Sequence, residues 1–227
     1  MSNSAEFTYD LSEMLPFEGL SSLRPGTSVL VTGPTMAGKD RLLYDVLGDG
    51  VSQNEAGIVV TTDGDGGESV DMVRSKAETA DDSLLSAIDC RAQSDREETE
   101  RDDGSCVYSV SSPSEFTSIG IGITDAFSRA EEANVTRGRL ALTSLSTMVR
   151  YADQKTVFKF CHVLSQRLNS AGFIGLFTLN SDAHDEQTIS VIKQAFDANI
   201  EIREVDGEKQ GRVLGLGSQP TEWRPLS

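Results

Sequence analysis

Short apolar runs alternate with longer amphipathic segments along most of the chain, which predicts strands and helices in alternation. The strand runs are Thr27–Thr32 (TSVLVT), Gly57–Thr62 (GIVVTT), Ser83–Cys90, Arg139–Leu145 (RLALTSL) and Gly172–Leu179 (GFIGLFTL). Ile200–Val205 and Arg212–Leu216 read as a terminal hairpin across EVDGEKQG. Helices are expected over Lys39–Leu47, about Ser69–Glu78, about Gly122–Ala133, about Gln154–Ser170 and about Asp185–Phe196. In the fourth of these, Val157, Phe158, Cys161, Leu164 and Leu168 recur at helical spacing and define one buried face. Apolar strands separated by amphipathic helices predict an α/β fold, a mostly parallel central sheet flanked by helices, closed by a C-terminal β-hairpin. Residues 1–227 read as a single domain, because no repeat and no dividing linker interrupts the pattern. The one departure is 91–105 (RAQSDREETERDDGS), nearly devoid of apolar residues and read as a solvated acidic loop insertion.

Composition narrows the setting. Hydrophobic residues make up 37% of the 227, enough for one sizeable core. The formal charge is -16, with the acids dispersed rather than gathered in a tail, and only six of the 20 basic residues are lysines. Dispersed acidity reads as a solvated surface of the kind halophiles use, so a high-salt cytoplasm is the expected location. Such a surface opposes non-specific nucleic-acid binding, which needs basic groups against phosphate. Cys90, Cys106 and Cys161 are too few and too scattered for a disulfide framework or a zinc site. MSNSAEFTYD lacks the basic and apolar regions of a signal peptide, and no apolar run reaches the roughly 18 residues of a membrane span.

The candidate chemistry lies in VTGPTMAGKD. Gly33, Pro34, Thr35, Met36, Ala37, Gly38 and Lys39 form Gly-x-x-x-x-Gly-Lys between a strand and a helix, the context in which this motif cradles phosphate. Loop N–H groups and the helix N-terminus face the anion, and Lys39 supplies a cation. The motif should close on Ser or Thr for Mg²⁺, but carries Asp40. The second magnesium ligand should be an Asp at the end of another apolar strand. RLALTSLS offers Thr143 there. Either Asp40 and Thr143 exchange roles and still bind Mg²⁺, or both ligands are lost; loss is the plainer reading. Asp63, with Asp65 and Glu68 near it, is the candidate general base, although DGDGGE also reads as an ordinary acidic turn. Asn180 and Ser181 are placed to sense a γ-phosphate or simply to end their strand. His184-Asp185 has too few partner histidines for metal-dependent phosphohydrolysis, so Asp182 or Asp185 is expected to cap a helix.

With those residues in view, the chain resembles the RecA/KaiC superfamily of P-loop ATPases, and specifically the haloarchaeal KaiC/GvpD-related group often labelled "HTR-like". The resemblance is carried by GPTMAGKD at 33–40, VSSPSEFTSIGIGI at 110–123 and RLALTSLSTMVRYADQKTVFKFCHVLSQRL at 139–168. AHDEQTISVIKQAFDANIEIRE at 183–204 and WRPL at 223–226 complete it. It implies a RecA-like core, a cytoplasmic location and a halophilic archaeal source. It also places Lys39 on the phosphate-loop lysine, Thr143 on the Walker-B Asp and Asp63 in the region of the catalytic Glu. Active KaiC-like rings supply a Lys-x-Arg pair from the neighbouring subunit, where this chain has Gly215 and Gly217. The implied function is a regulatory or signalling protein that binds ATP or ADP, with Mg²⁺ where the ligands permit, and hydrolyses slowly or not at all. Its expected partners are the nucleotide and a protein partner or homo-oligomer. The alternatives are a RecA-like interaction scaffold that no longer binds nucleotide and a recombination-related DNA-dependent ATPase.

Overall fold

A computed structural model describes residues 7–12, 14, 15, 17, 19–78, 84–91, 98–215 and 219–226. A short antiparallel pair, β1 (Tyr9–Asp10) and β2 (Ser22–Leu23), precedes the main sheet. That sheet contains β3 (Ser28–Gly33), β4 (Ala56–Thr61), β5 (Leu85–Asp89), β6 (Glu98–Glu100), β7 (Cys106–Ser109) and β8 (Gly138–Thr143). β9 (Ile174–Asn180), β10 (Ala198–Val205), β11 (Glu208–Leu214) and β12 (Arg224–Pro225) complete it. The helices are α1 (Lys39–Ser52), α2 (Gly66–Arg74), α3 (Phe116–Glu132), α4 (Leu145–Tyr151), α5 (Gln154–Ala171) and α6 (Glu186–Lys193).

Across the sheet the order is β12-β11-β10-β3-β9-β8-β4-β5-β7-β6. Every pairing from β10 through to β7 is parallel, and antiparallel pairing is confined to the two edges. This is the expected mostly parallel α/β sheet, flanked by helices and ending in a hairpin. β9 lies between β3 and β8, with Thr178 opposite Val31 on one side and Phe177 opposite Leu142 on the other. Helices α1 and α2 and the N-terminal pair cover one face, packing Leu43, Val46, Leu47, Val70 and Val73 against Val29, Val31 and Ala141. The second face carries α3 to α6 over Leu30, Leu140, Leu142 and Phe177. Among the described residues no helix is long and apolar enough to cross a membrane.

Several elements differ from the pattern-based expectation. α1 runs five residues past Leu47, because Gly48 and Gly50 are packing glycines rather than a stop. A Cβ at Gly48 would lie 2.5 Å from that of Lys76, and one at Gly50 would lie 2.7 Å from Arg139 Nε. α3 begins six residues before Gly122, and α4 starts at Leu145, the last residue of the expected strand, and runs through a stretch for which no element is expected. The acidic insertion 91–105 is not wholly loop. β6 pairs antiparallel with β7 at the sheet edge, with all its side chains exposed, so no apolar alternation announces it. Ser83 and residues 92–97 lie outside the described residues. The terminal hairpin turns on Asp206 and Gly207 alone, both at positive φ (54° and 81°), as a two-residue turn matched to strand twist requires. Most of EVDGEKQG is therefore strand, and Lys209 belongs to β11.

Candidate phosphate site

The glycine loop leaves β3 at Gly33 and enters α1 at Lys39. Gly38 sits at the helix N-cap with φ 85°, a conformation that favours glycine, and provides no capping side chain. The first N–H groups of α1 therefore carry no side-chain cap at the open end of the helix dipole. Met36, also at positive φ, is 92% exposed at the loop tip. Lys39 is only 4% exposed, and its ammonium donates to the Gly33 carbonyl at 3.1 Å and the Pro34 carbonyl at 2.6 Å. Burial lowers its pKa; the charges of Asp40 and Asp182 oppose that, and Lys209 adds to it.

Asp40 reaches toward β9, where the buried Thr178 hydroxyl donates to its Oδ1 at 3.0 Å. The residue is open to solvent, yet its carboxylate is crowded by protein. That desolvation raises its pKa; Thr178 opposes the rise, and Asp63 adds to it. Thr143 ends β8, 2% exposed, and the Thr143–Ser144 peptide bond is cis. The phenol of Tyr44 lies beside Thr143 and Ser69; burial raises its pKa, and the charges of Asp40 and Asp63 add to the rise. Thr62 ties the two strand ends together, accepting from Ser144 N–H at 2.7 Å and donating to the Ser144 carbonyl at 2.9 Å.

The acidic turn divides its residues. Asp65 caps α2, accepting Glu68 N–H at 2.9 Å, and Glu68 lies in the first helical turn. Asp63 stays exposed at the end of β4, within electrostatic reach of Asp40. The structure thus gathers Asp40, Asp63, Tyr44 and Thr143 on the β9–β8–β4 side of the loop. Among the described residues no three His, Cys, Asp or Glu side chains form a metal cluster.

The helix cap expected from Asp182 or Asp185 is made by Asp185, which accepts Thr188 N–H at 2.7 Å. Asp182 instead holds the glycine loop. Its carboxylate accepts Thr35 N–H at 3.0 and 3.1 Å and the Thr35 hydroxyl at 3.0 Å. Asn180 and Ser181 are engaged through their backbones, donating to Ser146 Oγ and the Gly33 carbonyl, each at 2.9 Å. Sequence reasoning missed Lys209, whose Nζ lies 3.0 Å from where a Gly38 Cβ would be. Lys209, Gly38, Ala37, Arg41, Leu42 and Ile202 line a cavity of about 220 Å³ beside the loop. Trp223 lies under Arg203 and Arg212, 4.0 and 4.6 Å from ring centroid to guanidinium, fastening the C-terminal strand to the hairpin. Gly215 is exposed at φ 97°, while Gly217 lies outside the described residues.

Residues 26–202 match a family described as a family of unknown function, DUF7504. The chain belongs to this family. In this DUF7504 chain the glycine loop, Asp63, Thr143 and Asp182 fall inside the matched span, whereas Lys209 and the hairpin turn lie beyond it. No curated protein matches the chain.

Proposed function

We propose that the chain is a nucleotide-binding regulatory or signalling protein on a RecA-like core, which holds ATP or ADP at residues 33–40 and turns it over slowly or not at all. The observation that carries the reading is Lys39, a buried ammonium whose hydrogen-bond acceptors are carbonyls of its own glycine loop. A phosphate placed at the loop would replace neutral acceptors with an anionic one, which makes a stronger hydrogen bond. The uncapped start of α1 supplies further donors beside it. An interior parallel strand leading into the loop and a C-terminal hairpin at the sheet edge support the RecA-like architecture.

Phosphate fits this donor set well, and magnesium fits it less well. Asp40 is available as an oxygen ligand, but Thr143 is buried at the end of β8 beside Tyr44. Asp63 is exposed and lies within electrostatic reach of Asp40, and it would serve as base for any residual hydrolysis. Calorimetric titration with ATP-Mg²⁺ in multimolar KCl tests the reading. Wild type should bind, and Lys39→Ala should bind at least about tenfold more weakly. Absence of binding by the folded wild type would reject it. The scaffold alternative is favoured by one contact, the Asp182 carboxylate on Thr35, which occupies a loop donor with the chain's own acid.

A further inference from the structure

The acids that act on the Lys39 ammonium, Asp40 and Asp182, lie to one side of the glycine loop. β3 carries the loop, and toward β9 and β8 lie Asp182, Asp40 and Asp63. Toward β10 and β11 lies Lys209, which makes no ion pair among the described residues and faces Gly38 and Lys39. Two ammonium groups converging without an intervening acid repel each other, and an anion between them would remove that cost. The cavity on the Lys209 side is lined by Arg41, by Asp45, which pairs with Arg41 at 3.8 Å and with Lys76 at 2.8 Å, and by the apolar side chains of Met14, Leu42, Ile202 and Leu226, suited to a ribose and base. A nucleotide entering from that side puts its first two phosphates between Lys209 and Lys39. A third phosphate is then directed at Asp40 and Asp63.

We propose that this loop selects by phosphate number: without a divalent cation it binds a nucleoside diphosphate in preference to the triphosphate, with Lys209 as the second phosphate cation, supplied by the chain's own hairpin. The inference rests on the nucleotide-binding reading above and specifies its ligand. Lys209 supplies from within the chain a positive charge of the kind that Gly215 does not offer. Asp40 acts as the discriminator, since it faces the position of a γ-phosphate with a like charge.

The test is calorimetric titration of the full chain with ADP and with ATP, each with chelator and with Mg²⁺, in multimolar KCl. Metal-free ADP should bind at least about fivefold tighter than metal-free ATP, and Mg²⁺ should narrow the gap. Asp40→Asn should narrow it without metal. Lys209→Gln should weaken ADP by about tenfold, while Lys209→Arg retains most of the affinity. Lys209 is exposed on an edge hairpin, so an unchanged melting temperature will show that the variant is folded. Metal-free ATP binding as tightly as ADP, or Lys209→Gln leaving ADP affinity unchanged, would overturn the inference while nucleotide binding stands. No binding of either nucleotide would overturn both.

Discussion

Asp182 and Thr35 are 147 residues apart in the chain, and no local pattern joins them. The Asp182 carboxylate takes one N–H and one hydroxyl from the glycine loop, as an oxygen of a bound phosphate would. The Thr35 N–H, with help from the hydroxyl, holds its pKa below the ordinary carboxylate value, against an opposing push from desolvation. A depressed folded-state pKa gives a contribution that is present above the unfolded value and lost as pH falls through the folded one. At neutral pH the contact is therefore fully made, and a ligand must compete with it. Asp182→Ala should tighten ADP binding by about threefold, the scale of an exposed charged contact. The difference should persist down to the ordinary carboxylate range and shrink only below it, as pH falls through the depressed folded-state value and protonation releases the loop in the wild type. Equal or weaker binding by the variant at pH 7 would mean that Asp182 positions the loop and does not compete for it. Lys39 was legible from its motif, since glycine spacing is local. Tyr44, which lies beside Thr143 and in the field of Asp40 and Asp63, carries no motif and was not.

The hairpin shows why one element had the wrong turn in sequence. After Val205 the segment is polar through Gly211, so residues 206–211 carry no apolar face and read as loop; only backbone pairing shows that Asp206 and Gly207 alone make the turn. Lys209 consequently pairs with Glu204 in a regular ladder, and a rigid strand brings it to Gly38. Gly207→Ala places a Cβ at φ 81°, where an L residue is strained; open space surrounds it, so the cost is conformational only. About 1 kcal/mol of destabilisation is expected, a fall in melting temperature of about 2–4 °C for a chain of this size. ADP affinity should fall with it, because the loosened turn frees Lys209. A variant that melts lower but binds ADP unchanged would place Lys209 outside the phosphate site. The strands β3, β4, β8 and β9 were readable, as buried parallel strands are nearly continuous apolar runs. α4 was not readable: its seven residues follow an apolar strand directly, and Ser144, which caps it, looks like strand sequence.

Across the whole molecule, the loop depends on α1, and α1 is held at its far end by charge buried inside an otherwise acid-coated protein. Arg139 is fully buried in β8; its Nε donates to Glu55 at 2.6 Å, and Nη1 donates to Asp49 at 2.7 Å and the Val46 carbonyl at 2.8 Å. Glu55 is itself fully buried and also receives Arg137. The network joins the last turns of α1 to the sheet at the end opposite Thr143. Composition alone counts Glu55 among surface acids, since only the fold reveals that it is internal. A buried pair adds little over an apolar replacement, yet losing one partner leaves the other charged and unpaired. Glu55→Ala should therefore cost about 3–5 kcal/mol by chemical denaturation. Glu55→Met combined with Arg139→Met should recover most of that loss, because Asp49 and Arg137 are partly exposed and can be hydrated when their partners leave. A single variant within about 1 kcal/mol of wild type would show that water reaches Arg139, and that α1 is anchored by apolar packing alone.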